Sequence, residues 1–282
     1  MSAFGALVRW AHLLPLLGIF GASAFSALLK RKDLIGERLV LRGFQAAAWL
    51  TLVTALLQLP LTVGSMGGEP LDASAIGTVL SETAFGHAFE VRFAAVAALL
   101  AVAVVRRSGG VVAAVLSGIA LVTIAVTSHA AASGPEAYAL LRLSTDALHL
   151  LTAGFWIGGL WVLLDLGLRG RREKPQLLFR AVSLFADVAI YGVTALFLAG
   201  MLNTGFILSA QHVDAWYGVL LALKVVLAFA MIGIAFVNRL RVTPRLASGE
   251  GGEVLARNVR GELVLGAAVV AIAAVLGSIS PG

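Results

Sequence analysis

Eight stretches of this chain, near residues 4–29, 43–63, 86–105, 110–129, 144–166, 181–208, 216–238 and 262–280, are apolar over the length of a membrane-crossing helix, which needs about 20 residues. No other feature constrains the fold as much. Backbone inside hydrocarbon must satisfy its own N–H and C=O groups, and successive apolar runs of this length do so as helices. The expected fold is therefore all-α, a polytopic bundle of eight transmembrane helices in a lipid bilayer. Composition agrees: 60% of the 282 residues are hydrophobic and 13% charged, with a mean hydropathy of +0.96, outside the usage of soluble domains.

The pI near 10.3 points to topology, not to nucleic acid, because the basic residues gather between the apolar runs. The connections after the first, third, fifth and seventh runs, with their flanks, hold 17 of the 21 Lys and Arg. By the positive-inside rule those connections face the cytoplasm, and both termini face outward. The first run, although it carries Arg9 and the small residues of GASAFSA, is expected to stay as a helix. Its removal as a signal peptide would leave KRK leading a segment that must cross the membrane.

With this topology all five histidines fall on the outer side. His12 and His149 lie inside their runs, His149 about 8 Å and His12 about 12 Å below the helix start. His87 opens the third run, His129 ends the fourth, and His212 follows the sixth. Met66 and Met201 are biased outward as well, and the chain has no cysteine, so a soft metal would have to be held by His and Met. Asp146 and His149, three apart, share a helix face inside an apolar run, a costly pairing that marks a candidate functional site.

An internal duplication is visible. AHLLPLLGIFG aligns with LHLLTAGFWIG, pairing His12 with His149 and Gly21 with Gly158; VTAL recurs at 53 and 193; and Arg92 follows Gly86 at the spacing by which Lys224 follows Gly218. These matches predict two four-helix halves in parallel orientation, 1–137 and 138–282, within one membrane domain. The duplication points to a metal or haem site formed by His12, His129 and His149, with Asp146 as the carboxylate that orients an imidazole. Gly154 and Gly158 have the small-xxx-small spacing of close helix packing, and Trp156, mid-run, is expected to be buried or to line a cavity. Snorkelling explains the charges of Arg92 and Lys224 about as well as a functional role does. Glu262 and Asp187 are expected to answer nearby arginines. No serine sits in a nucleophile motif and no HExxH pair occurs, so the chain does not read as a hydrolase or protease.

The order Arg9-Trp10-Ala11-His12, Thr83-Ala84-Phe85-Gly86, Ser128-His129-Ala130, Asp146 with His149, Trp156, Gly158-Gly159, Gly200-Met201-Leu202-Asn203, Tyr217-Gly218 through Lys224, Asn238-Arg239, Pro244-Arg245 and Glu262 resembles the copper-resistance D (CopD) family of bacterial inner-membrane proteins. That resemblance implies a copper-handling protein working with a periplasmic copper-binding partner of the CopC type, expected here as a separate chain. The family's motif histidines fall on His12, His129 and His149, whereas His87 and His212 have no counterpart. The expected activity is acceptance of copper from the periplasmic side and passage toward the cytoplasm, with His12, His129 and His149 as ligands, Asp146 behind them, and Met66 and Met201 relaying copper inward. Two alternatives stand beside it: a copper-binding or docking module that does not transport, and a b-type cytochrome with haem between His12 and His149. The inner half offers no histidine and Met231 alone as a soft side chain, which weighs against a continuous path.

Overall fold

In the computed structural model, residues 3–30, 38–105, 110–127, 138–173, 175–210 and 213–279 are described. Among them no strand occurs. The helices are α1 (Ala3–Leu28), α2 (Arg38–Ser65), α3 (Ala73–Glu82), α4 (Ala84–Val105), α5 (Val111–Val126), α6 (Ala139–Glu173), α7 (Pro175–Ala210), α8 (Ala215–Val237), α9 (Thr243–Leu246) and α10 (Gly252–Leu276), with a π-helical turn, Asn238–Val242, joining α8 to α9.

Helices run through all of the apolar stretches, and seven of them are long and apolar enough to cross a bilayer. The exception is α5. Its 16 residues rise only about 24 Å against a hydrocarbon core of about 30 Å, and the rest of its stretch, from residue 128, lies outside the described residues. Outward faces are apolar where they would meet lipid: Val219, Val226, Phe229 and Phe236 of α8 are all exposed. Short α3 is not among the expected helices because its ten residues fall far below a membrane-crossing length. Asp72 caps it by accepting from the amides of Ser74 and Ala75, and these contacts with the Ser74 hydroxyl hold its carboxyl below the usual carboxylate range. Thr83 then closes α3 and opens α4, its hydroxyl donating to Val79 O (2.7 Å) and accepting from Gly86 N (2.9 Å).

At the centre, α1 lies against α6. A Cβ on Gly21 would collide with the backbone of Gly154 and Gly158, and one on Gly158 with Ala22 N and Gly18 O. The two helices therefore touch backbone to backbone, as the Gly154/Gly158 spacing predicts. Beside this seam Phe25 of α1, fully buried, packs edge-on against Phe155 of α6 and Phe185 of α7, with centroids 6.0 and 5.4 Å away. Around the central pair α1 packs on α2 and α5, α6 packs on α7 and α10, and α4 packs on α5 as α8 does on α10. First and last helices are tied directly, Arg9 Nη1 donating to Gly277 O (2.8 Å) and Trp10 Nε1 to Ala267 O (3.1 Å).

Candidate functional site

Two polar cavities open at the end of the bundle opposite the arginine-rich connections. The larger, about 530 Å³, lies between α1, α2, α4 and α5 and is lined by Arg9, His12, Gln58, Met66, Arg92 and Thr127 among others. The second, about 200 Å³, lies between α1, α6, α7, α8 and α10 and takes Arg9, Asp146, His149, Asn203, Tyr217 and Lys224. Arg9 and Gly277 border both.

His12 is fully buried, at 1% exposure. Its Nδ1 lies 3.1 Å from Thr51 O and 3.1 Å from Thr54 Oγ1. A carbonyl can only accept, and the Thr54 hydroxyl already donates to Leu50 O at 2.6 Å, so Nδ1 carries the proton. Nε2 is left as a bare, buried lone pair with no partner. His149 repeats the arrangement in its own cavity: Nδ1 donates to Leu196 O at 3.1 Å, which fixes the same tautomer. The ring rests in a notch over Gly200, whose added Cβ would sit 3.3 Å from the imidazole Cε1. In both cases a carbonyl of the following helix holds the ring and turns Nε2 away, the geometry by which histidines present a nitrogen to a metal.

Asp146 was expected to orient the imidazole; the Leu196 carbonyl does that instead. The Asp146 carboxylate accepts from Asn203 Nδ2 at 3.3 Å, and Asn203 Oδ1 in turn accepts from Thr145 Oγ1 at 2.7 Å. Asp146 also acts electrostatically on both Arg9 and Lys224, so it offsets cationic charge in the His149 cavity. No acidic residue lines the His12 cavity among the described residues, and two guanidiniums do.

Other expectations divide. Met66 lines the His12 cavity. Met201 is 68% exposed and lines neither, because Leu196, Gly200 and Asn203 share the inward face of α7 and Met201 lies a hundred degrees round from Gly200. His12 and His149 line separate cavities that share Arg9, Leu13, Ile124 and Gly277 as walls. Among the described residues no three His, Cys, Asp or Glu gather as a metal cluster; His129 and His212 lie outside those residues. His87 is exposed.

Arg92 corrects the snorkelling expectation. It is buried, at 3% exposure, and its guanidinium donates to Thr123 Oγ1 (3.2 Å), Thr123 O (3.1 Å), Gln58 Oε1 (3.3 Å) and Thr127 Oγ1 (3.3 Å). Three helices are joined by one side chain. Interhelical hydrogen bonds within membranes average about 0.6 kcal/mol, so Arg92→Ala is expected to lower stability by about 2 kcal/mol in detergent unfolding. An unchanged unfolding midpoint would contradict that bracing role. Glu262 is also corrected: its carboxyl accepts from Asn238 Nδ2, at 2.9 Å, and not from an arginine. Asp187 does pair with Arg239, at 3.2 Å.

Fold and cavities together define a polytopic helical membrane protein with two buried or half-buried histidines lining cavities at one end of the bundle. Comparison with known proteins gives that class its family. The model described as "Copper resistance protein D-like, N-terminal domain" matches residues 1–137 and that described as "Copper resistance protein D" matches 179–276. Copper resistance protein D of Pseudomonas syringae pv. tomato is 31% identical over 97% of this chain and 96% of its own length. Inner membrane protein YebZ of Escherichia coli (strain K12) is 27% identical over 97% of each. Copper transport protein CutJ of Bacillus subtilis (strain 168) is 30% identical over 86% of this chain and 46% of itself. No solved structure matches the chain. The chain belongs to the copper resistance protein D family and is a multi-pass protein of the inner membrane.

Proposed function

We propose that the protein binds copper at histidines facing the periplasm and moves it across the inner membrane, with copper as cargo. One observation carries this reading: His12 and His149 each donate Nδ1–H to a neighbouring helix's carbonyl, which leaves Nε2 as the nitrogen with a free lone pair, and each residue lines a cavity. Neutral imidazole suits copper in either oxidation state, and the Met66 thioether on the wall of the His12 cavity favours Cu(I) there. The His149 cavity is the better seat for a cation, since Asp146 offsets its positive charge. His129, where the family's motif falls, would complete the ligand set.

The topology proposed is N-out and C-out, with halves 1–137 and 138–282 in parallel. Support comes from the matched tautomers and from Arg92 and Lys224, which line the two cavities at corresponding places. A separate periplasmic protein of the CopC type would deliver copper to that end. Metal analysis of the purified protein tests the site: His149→Ala is expected to lower bound copper by one equivalent, and full stoichiometry in that variant would sink the assignment. Whole-cell copper accumulation separates transport from a docking module that only holds copper, because the latter changes accumulation by no more than the copper bound to the protein itself.

A second reading rests on the charge of the His12 cavity. Two guanidiniums without a lining carboxylate suit the propionates of a haem, with His12 Nε2 as the iron ligand. A bound haem would make the protein an electron carrier. An intense Soret band in the purified protein would establish it, and a copper-loaded protein without that band would exclude it.

A further inference from the structure

A second polar arrangement lies at the arginine-rich end, and copper binding does not use it. Where α8 gives way to the π-helical turn at Asn238, the Asn238 side chain is buried and bridges two residues of α10: Nδ2 donates to Glu262 Oε1 (2.9 Å) and Oδ1 accepts from Asn258 Nδ2 (2.7 Å). Glu262 is only 1% exposed. Its other oxygen, Oε2, is buried without a partner, and the residue lines a cavity of about 280 Å³ between α6, α7, α8 and α10. Trp156 of α6 lines the same space and brings its indole N–H near the Glu262 carboxyl, outside good hydrogen-bond geometry.

A carboxyl inside a membrane-spanning helix is costly and marks function by default. A helix tie alone does not account for it, since the bond to Asn238 uses one carboxyl oxygen and leaves Oε2 without a partner. Nor is the surrounding chemistry that of a metal site. The groups nearest the Glu262 carboxyl are N–H donors, from Asn238 and Trp156, and among the described residues no second carboxylate lines the cavity, whereas hard cations collect about six or more oxygens. A proton needs one oxygen. π-Helical turns inside α-helices occur frequently at functional positions, and this one holds the residue that grips Glu262.

We propose that Glu262 is a proton-binding site in the inner half of the bundle. Oε2 takes one proton from water at the arginine-rich face and returns it there through the cavity, while Oε1 stays on Asn238. The charged groups around it are few: α8's π turn contributes Arg239, held by Asp187 of α7 at 3.2 Å, and α6 lines the cavity with no charged side chain. This site stands or falls without reference to copper.

Infrared difference spectra of the whole protein in lipid, taken between low and high pH, test it directly. Wild type is expected to gain the carbonyl-stretch band of a protonated carboxylic acid at low pH, shifted by D2O and by carbon-13 labelling of glutamate. Glu262→Gln is expected to lose that band with its amide bands unchanged, Glu262→Asp to move it, and Asp146→Asn to keep it. The proposal is overturned if wild type shows no such band at any pH where it stays folded, if glutamate labelling leaves the band in place, or if the band survives in Glu262→Gln. The chain has eight other glutamates, so labelling shows only that a band belongs to glutamate; should Glu262→Gln fail to fold, Glu262→Asp, which keeps a carboxyl in place, decides by whether a glutamate band moves.

Discussion

Gly158→Leu is expected to abolish the folded bundle, or to cost at least about 3 kcal/mol if any fold survives, at the upper end of overpacking effects. The reason lies in what surrounds the position. An added Cβ at Gly158 meets the backbone of Gly18, Gly21 and Ala22, and backbone cannot rotate away as a side chain can. Helix α1 would have to leave α6, opening the Phe25, Phe155 and Phe185 cluster beside the seam. Gly159→Ala meets the Phe185 ring instead, which can turn, so a smaller loss is expected there. Gly192 and Gly205 have nothing within 4 Å of an added Cβ, and leucine at either is expected to change stability by no more than about 0.5 kcal/mol. Monodispersity and unfolding in detergent measure all four. Equal behaviour of Gly158→Leu and Gly205→Leu would refute the backbone seam.

The contrast among these glycines bears on what a sequence can reveal in a membrane bundle. Helices followed from the apolar runs because hydropathy is local, and Gly154 with Gly158 announced a close contact because their spacing is local too. Which helix fills that contact depends on Gly21, more than a hundred residues away. The same limit appears at the sites. His12 and His149 were legible as a pair, yet their separate cavities depend on how each helix is rotated against its neighbours. Met201 was chosen for its sulfur, although Gly200 and Asn203 beside it already marked the inward face of α7 by their spacing. Arg92 read as a snorkelling charge because Gln58, Thr123 and Thr127, which bury it, come from two other helices. The π turn that sets Asn238 on Glu262 has no signal in apolar periodicity at all.

Neutralising Lys224 is expected to tighten copper at His149. Lys224 lines the same cavity as His149, together with Arg9 and with Asp146, whose carboxylate offsets both. A like charge about 8 Å from a bound cation, at an effective dielectric of about 20, opposes binding by about 2 kcal/mol. Lys224→Gln, which keeps the stem that packs in the cavity, should therefore raise copper affinity about thirty-fold. Asp146→Asn should lower it by a similar factor, and the double variant should fall near wild type, since the two changes add opposite signs to one cation. Competition with a chelator on the purified variants reads all three. An anionic ligand in this cavity reverses both signs, with Lys224→Gln losing it and Asp146→Asn holding it more tightly. Damage to the fold behaves differently again, because it weakens binding in both single variants. Signs opposed in the copper direction are thus the one pattern produced by a cation seated on Nε2, and weakening in both variants would sink that assignment whatever its size.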